Sequence, residues 1–305
     1  MLRFSAARPP PARGFTLAEL VVALGVGGVA FGAFALAVAQ QERTHAELAR
    51  RIRARGQLRE GLSALLADLR AVSPAAGDLA VGGARDSSVE LRTTIGTAAV
   101  CYVANRSITG ALASFVTAPG AGDTAWAYVA SDTSAAWTPL TVIGVGTLPD
   151  DRASTCGFPA TASGVIDGRR TRRPWYSLEL SEPPPAIPMG TPLRVTRPAR
   201  YSLYRSADGK WYLGRREWSP VRGRFETIQP VSGPYRPYAS EAGQTSGLEL
   251  RYFDRSGLRV PSGSLASDRI ALVSVVLRAP PPGGDGQVRE RRDVASVTVA
   301  LRNSP

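Results

Sequence analysis

Apolar positions divide this chain into zones of different periodicity. Residues 20–39 contain no charged side chain, and a helix of that length would extend about 30 Å, the thickness of a bilayer core. Over residues 40–72, apolar side chains recur mostly at three- and four-residue steps, which predicts an amphipathic helix. Ser73-Pro74 is expected to end that helix, because proline cannot continue it.

Beyond Pro74 the pattern changes to short β segments separated by Gly, Pro and Ser. Asp208-Gly209 separates two of these segments and is typical of a tight hairpin turn. The sequence therefore predicts an α+β fold, in which a long N-terminal helix is followed by a β-rich head. The predicted strands cover residues 88–94, 98–105, 125–130, 140–145, 192–196, 200–205, 210–216, 248–254, 270–278 and 294–302.

The start of the apolar zone has an unusual composition. Residues 13–20 read RGFTLAEL, so a basic leader ends in glycine, a phenylalanine follows, and one acid stands in an otherwise apolar helix. That acid, Glu19, lies at the edge of the predicted membrane span. An unpaired carboxylate is costly there and normally indicates a partner.

This segment resembles the N-terminal cleavage and methylation motif of type IV prepilins and type II secretion pseudopilins. The resemblance implies that a prepilin peptidase cleaves between Gly14 and Phe15 and methylates Phe15. It also implies that Glu19, the fifth residue after cleavage, pairs with the terminal amine of a neighbouring subunit during assembly. The physics agrees, because a buried carboxylate and a buried ammonium are each costly alone.

The resemblance implies an organisation for the whole chain. Residues 1–14 are the leader, 15–39 the transmembrane half of the helix, 40–72 its amphipathic stem, and 73–305 a periplasmic head with a pilin-like fold. Arginines in the leader favour a cytoplasmic N-terminus, and hence a single-pass protein of the inner membrane. The expected partners are other major and minor pilins or pseudopilins and the inner-membrane assembly platform.

Part of the head carries a weaker resemblance. Residues 247–254, GLELRYFD, and the ending VALRN at 299–303 resemble PilW-type minor pilins, which are related to J-type pseudopilins. The implied role is a structural subunit that initiates a filament or sits at its tip. A large head favours this low-copy role over repeated packing along a thin filament.

An ordinary secretory signal is the main alternative. Ala37-Val38-Ala39 before Gln40 fits the small-x-small rule for signal peptidase, which would release a free β domain starting at Gln40. Against this interpretation, the apolar zone is long and Glu19 stands at its start. A transmembrane helix with one stray polar residue is a further alternative.

The net positive charge gives little indication of a binding partner. The chain has a formal net charge of +12, but Lys210 is the only lysine among its 37 basic residues, which suggests a GC-rich genome as much as selection. Arg169, Arg170, Arg172 and Arg173 form the best candidate patch for an alternative function, binding of DNA or a surface at a filament tip, because arginines followed by aromatic residues can hold nucleic acid. A solvated loop leading into a strand is the favoured interpretation.

Little in the sequence indicates catalysis, a metal or a cofactor. The one histidine, His45, lies on the stem, where it is expected to be solvated rather than to serve as a base or a ligand. Cys101 and Cys156 are the only cysteines and lie on the predicted extracytoplasmic side. A disulfide between them is favoured over two free thiols, and a metal site is disfavoured because further ligands are lacking.

Overall fold

The structure is a computed structural model that describes residues 16–130, 135–148, 163–166, 169–172, 175–219, 221–239, 245–280 and 293–302. These residues form one α-helix and sixteen β-strands. The chain divides into two compact units, Met1–Arg53 and Ala54–Pro305. Helix residues from Ala54 onward thus belong to the same unit as the strands, and the predicted α+β architecture is confirmed at this level.

Helix α1 (Leu17–Ala71) continues through Gly56 and Gly61 and ends two residues before Ser73, close to the predicted boundary. Its C-terminal part buries one face, since the buried residues mostly follow helical steps of three and four. The buried residues are Leu58, Gly61, Leu62, Leu65, Leu66 and Leu69.

The strands belong to two sheets, one of twelve strands and one of four. In chain order they are β1 (Leu79–Ala84), β2 (Ser88–Ala104), β3 (Ser107–Phe115), β4 (Thr124–Ala130), β5 (Ala135–Leu148), β6 (Ser163–Ile166), β7 (Arg169–Arg172), β8 (Trp175–Leu180), β9 (Pro192–Arg205), β10 (Trp211–Ser219), β11 (Arg224–Phe225), β12 (Gln229–Tyr235), β13 (Leu248–Phe253), β14 (Arg259–Val260), β15 (Leu272–Arg278) and β16 (Val294–Ala300). The smaller sheet has the order β14-β13-β15-β16.

The buried face of α1 forms one apolar cluster with both sheets, which we call the stem core. Leu91, Tyr201 and Leu213 contribute from the larger sheet, and Leu250 and Val275 from the smaller one. Strand β15 alternates strictly between buried and half-buried residues, as expected for a strand with one face toward a core. The helix thus supplies side chains that both sheets need to bury their inner faces.

Six strands of the larger sheet close into a ring in the order β2-β3-β8-β5-β4-β9, because β9 pairs again with β2. All six neighbouring pairs are antiparallel. Alternate residues of these strands, among them Val100, Ile108, Leu178 and Leu193, form a second apolar cluster, which we call the barrel core. A closed ring leaves no strand edge exposed within it.

The sequence predicted eight of the sixteen strands and missed β1, β3, β6, β7, β8, β11, β12 and β14. Predicted strands at 88–94 and 98–105 are both parts of β2, and those at 192–196 and 200–205 are both parts of β9. The split was wrong because pairing between β2 and β9 continues past Gly96, after a register shift between Thr94 and Gly96, and through Pro198. Predictions for β4, β5, β10, β13, β15 and β16 are confirmed, and the Asp208-Gly209 hairpin joins β9 to β10.

Candidate assembly site

The N-terminal half of α1 exposes large apolar side chains along its length. Leu17 is 82% exposed, Val29 77% and Phe31 74%. An 18-residue window of this helix has a mean hydropathy of 2.3, and none of that window is buried within the described chain. A helix that is apolar on every side belongs in a membrane or in a packed core. This helix is long and apolar enough to cross a membrane, a property that signal sequences share.

Glu19 closes a capping box at the start of this helix. Its Oε2 accepts hydrogen bonds of 3.0 Å from both the amide and the hydroxyl of Thr16, while the Glu19 amide donates to Thr16 Oγ1 at 3.3 Å. This reciprocal arrangement, in which Thr16 is the N-cap and Glu19 the third helical residue, satisfies amides that the helix leaves without partners. Glu19 therefore has a local structural role in addition to the pairing role that the resemblance implies.

The capping box is compatible with a second role for the carboxylate. The bonds to Thr16 engage only Oε2, and an ionised carboxylate has about four acceptor positions on its two oxygens. A cation can thus approach Oε1 without disturbing the cap. Gly14 and Phe15, the predicted cleavage and methylation positions, lie outside the residues that the structure describes.

Polar contacts hold the C-terminal part of α1 against the larger sheet. Asp68 accepts a 2.6 Å hydrogen bond from the Tyr201 hydroxyl, and Arg215 Nε lies 3.4 Å from the same carboxylate oxygen. Burial, with the nearby Asp68 charge, raises the pKa of Tyr201 well above its ordinary value, so this phenol stays protonated and able to donate. These contacts of Asp68 with Tyr201 and Arg215 fix both the rotation of the last helical turns about the helix axis and their distance from the larger sheet.

Gly61 marks the closest approach of helix and sheet. A Cβ at this position would lie 2.3 Å from Tyr235 Oη and 2.4 Å from Ser232 Oγ, distances that no side chain can occupy. The Tyr235 hydroxyl donates to the Gln57 carbonyl at 2.8 Å, one helical turn before Gly61. Gly61 is thus needed for packing, although in sequence it looks like a weak point of the helix.

A buried ion pair lies in the segment between the end of α1 and the start of β1. The Asp78 carboxylate has no exposed surface and accepts hydrogen bonds of 2.7 and 2.9 Å from Arg194 and one of 2.8 Å from the Ser73 amide. Burial raises the pKa of Asp78, while the Arg194 charge and the Ser73 amide oppose that shift. A buried charge of this kind is stable only while its partner is present.

Arg194 links the barrel to the helix end. Its guanidinium lies 5.8 Å from the ring centre of Trp126 and 5.7 Å from that of Trp137, within the range of cation–π attraction. It also donates to the carbonyl of Ala71, the last helical residue, at 3.4 Å. One side chain of β9 thus contacts barrel aromatics, the Asp78 turn and the helix C-terminus.

The other predicted site residues are only partly described. Cys101 is disulfide-bonded, while Cys156 lies outside the described residues, so the pairing of the two stays a prediction. His45 is exposed on the helix, 3.4 Å from Gln41 Nε2. No group of three or more His, Cys, Asp or Glu within the described ranges could hold a metal ion.

The arginine run differs from its expected loop. Arg169, Arg170 and Arg172 lie in β7, which pairs with β6 as a hairpin, so the prediction of a loop was wrong for these positions. Charged residues are tolerated at a strand edge, so a run of arginines does not exclude a strand. Arg173 lies outside the described residues, and Tyr176 in the next strand is buried in the barrel core.

Comparisons of this chain with protein-family models, with curated proteins and with solved structures return no match. The functional argument therefore depends on the residues of this chain and on their geometry.

Proposed function

We propose that this chain is a minor subunit of a type IV pilus or of a type II secretion pseudopilus. The observation that carries the proposal is the exposed apolar half of α1, which starts at an acid-bearing cap within the prepilin-like segment. In this proposal a prepilin peptidase removes residues 1–14 and methylates Phe15. Residues 15–39 then hold the subunit in the inner membrane, with the head in the periplasm.

The proposed activity is assembly, with no chemistry of the chain's own. The apolar half of α1 leaves the lipid by packing against the stems of other pilins or pseudopilins at the assembly platform. Glu19 then pairs through its carboxylate with the terminal amine of a neighbouring subunit, because neither charge is tolerated alone in an apolar surrounding. The Thr16 cap supports this step, since it fixes the carboxylate at the first turn of the helix.

The head favours a low-copy position. Besides the stem core, which contains α1, the head carries a complete barrel core of its own. Such bulk is hard to repeat at short intervals along a thin filament. We therefore place the subunit at the tip, where it initiates assembly.

Two substitutions at one position separate the pairing role from the capping role. Glu19→Gln keeps an acceptor for the Thr16 hydrogen bonds but removes the charge, whereas Glu19→Ala removes both. If charge pairing drives assembly, both variants are processed normally and both fail to enter filaments. Filament incorporation is measured by immunoblotting of sheared filaments against membrane fractions. Normal incorporation of Glu19→Gln would contradict the pairing mechanism.

Processing is tested at the preceding positions. Gly14→Val is expected to leave the full-length chain in the membrane, because the branched side chain blocks the peptidase site that the resemblance implies. Gel mobility of the membrane-bound protein reports the result. A mature-length product from this variant would show that cleavage occurs elsewhere.

A further inference from the structure

Six of the described strands have a paired neighbour on one side only, and these strand edges differ in how they are protected. They are β1, β7, β11, β12, β14 and β16. An unpaired edge presents a row of free amide and carbonyl groups, which is a template for another strand. Natural proteins block such edges with charges, prolines, bulges, covering loops or very short strands.

Five of the six edges carry one of these protections. Strand β1 contains two adjacent glycines and a register shift, and its Ala84 carbonyl accepts a hydrogen bond from the Gly263 amide at 2.7 Å. Strand β7 reads RRTR, and β11 and β14 contain two residues each. Strand β12 contains Pro230 and Pro234 and pairs with two register shifts.

Strand β16 carries none of them. Its seven residues, VASVTVA, include no charge and no proline, and it pairs with β15 in one unbroken register from Val294 to Ala300. No hydrogen bond joins the other edge of Val294–Ala300 to any residue that the structure describes, and directly beyond it the Arg302 amide donates to the Val72 carbonyl at 2.9 Å. Valine and threonine also favour the strand conformation. An edge of this length and unbroken register, without charge or proline, indicates a strand-pairing surface.

The two faces of β16 are suited to pairing with a second copy of the same strand. Ala295, Val297 and Val299 point toward the stem core, whereas Ser296 and Thr298 are exposed on the opposite face. Antiparallel strands related by a two-fold axis through Val297 bring Ala295 opposite Val299 and Ser296 opposite Thr298. Between Val294 and Ala300, apolar side chains then meet apolar ones on the inner face, hydroxyls meet on the outer face, and no charged side chain is present.

We propose that β16 is a homodimer interface, at which the four-stranded sheets of two copies join into one continuous eight-strand sheet. Each protomer contributes the same edge, as a two-fold interface requires. One strand pair buries less surface than a stable soluble dimer needs, so the dimer is expected to be weak and concentration-dependent. Copies confined to one membrane by their helices reach a higher effective concentration. This inference does not depend on the proposed filament function.

A charge-swap experiment tests both the surface and its register. Ser296→Lys with Thr298→Lys places two lysine pairs across the proposed interface, whereas Ser296→Lys with Thr298→Glu places two opposite-charge pairs there. Sedimentation equilibrium of the full chain in detergent is the measurement. We expect the lysine–lysine variant to raise the dimer dissociation constant by about tenfold or more, and the lysine–glutamate variant to restore it.

The control is a double lysine variant at exposed strand positions remote from the edge, Thr97→Lys with Thr141→Lys, which should dimerise like the unmodified chain. Near-ultraviolet circular dichroism confirms that all variants are folded. A monomeric unmodified chain at every concentration, or an undiminished dimer in the lysine–lysine variant, would overturn the proposal. Failure of the lysine–glutamate variant to recover would overturn the stated register.

Discussion

The two halves of helix α1 have opposite relations to the rest of the chain. The C-terminal half buries a leucine face in the stem core and receives hydrogen bonds from Tyr201, Tyr235 and Arg194. The N-terminal half exposes large apolar side chains and makes its polar contacts within itself, at the Thr16–Glu19 cap. The C-terminal half therefore has packing and hydrogen-bond partners within the chain, whereas the apolar surface of the N-terminal half needs lipid or another protein to cover it.

The hydrophobicity of a helix segment therefore does not by itself indicate which half of α1 stabilises the fold of the head. Within the described residues, the apolar clusters of the head contain no side chain from the more hydrophobic half, whereas the arginine-rich half contributes Leu58, Leu62, Leu65, Leu66 and Leu69 to the larger one. Apolar surface stabilises a fold only where other elements cover it. Substitutions that respect or break this division should consequently have separable effects on stability and on membrane attachment.

The largest effect is expected at the polar end of the C-terminal half. Arg194→Met leaves the Asp78 carboxylate buried without its cation, which should lower the free energy of unfolding by about 3–5 kcal/mol. The double variant Arg194→Met with Asp78→Asn removes both charges and should lose clearly less. Urea unfolding of the full chain in detergent measures both. Equal losses in the two variants would contradict the ion-pair account.

A charge in the N-terminal half should act on the membrane and spare the head. Val29→Asp places a carboxylate near the middle of the apolar zone, at a cost of about 2.5–3.5 kcal/mol for insertion. Carbonate extraction of membranes should release more of this variant than of the Val29→Leu control. Because Val29 belongs to neither apolar core, the unfolding midpoint of the head should not change. A lowered midpoint would show that this half does support the fold.

Glycines distinguish the halves on a smaller scale. Gly61→Ala should be less stable than Gly56→Ala by about 1–3 kcal/mol, since only the methyl group at position 61 meets Tyr235 and Ser232. Gly28→Ala, in the N-terminal half, meets no atom within 4 Å and should leave head unfolding unchanged. Thermal unfolding of the three variants gives the comparison. If Gly61→Ala matched Gly56→Ala, the close packing would be refuted.

The smallest expected effect is a loss of stability at alkaline pH. Burial raises the pKa of Tyr235 to about 12, and burial also raises the pKa of Tyr201. Because the unfolded chain ionises its tyrosines near pH 10 while the folded chain keeps these protons, the free energy of unfolding should fall as pH rises above about 10. Tyr235→Phe should make this fall shallower between about pH 10 and about pH 12. An unchanged slope would contradict the assigned shift.

The helix and half of the strands could be predicted from the sequence, because these elements follow from local patterns. Helical spacing of leucines predicted α1, and Asp208-Gly209 predicted the β9–β10 hairpin. The barrel could not be predicted, because its closure depends on β2 pairing with β9 about a hundred residues away, across a bulge at Gly96 and through Pro198. No local pattern specifies such a contact.

The candidate site shows the same division. Glu19 was identified from its neighbours in sequence, and the spacing Thr16-x-x-Glu19 also carries the capping-box signature, so its local role could have been predicted as well. The need for Gly61 could not, since it arises from Tyr235 and Ser232, which are distant in sequence. Local motifs can be predicted from the sequence, whereas close packing between elements that are distant in sequence cannot.

The mass and N-terminal sequence of the mature protein, purified from membranes, test the central claim most directly. If the exposed half of α1 is kept as an assembly surface, the chain begins at Phe15 and carries one additional methyl group on its terminal amine. A soluble product that begins at Gln40 would contradict the account, because it would lack the apolar half of α1 and Glu19.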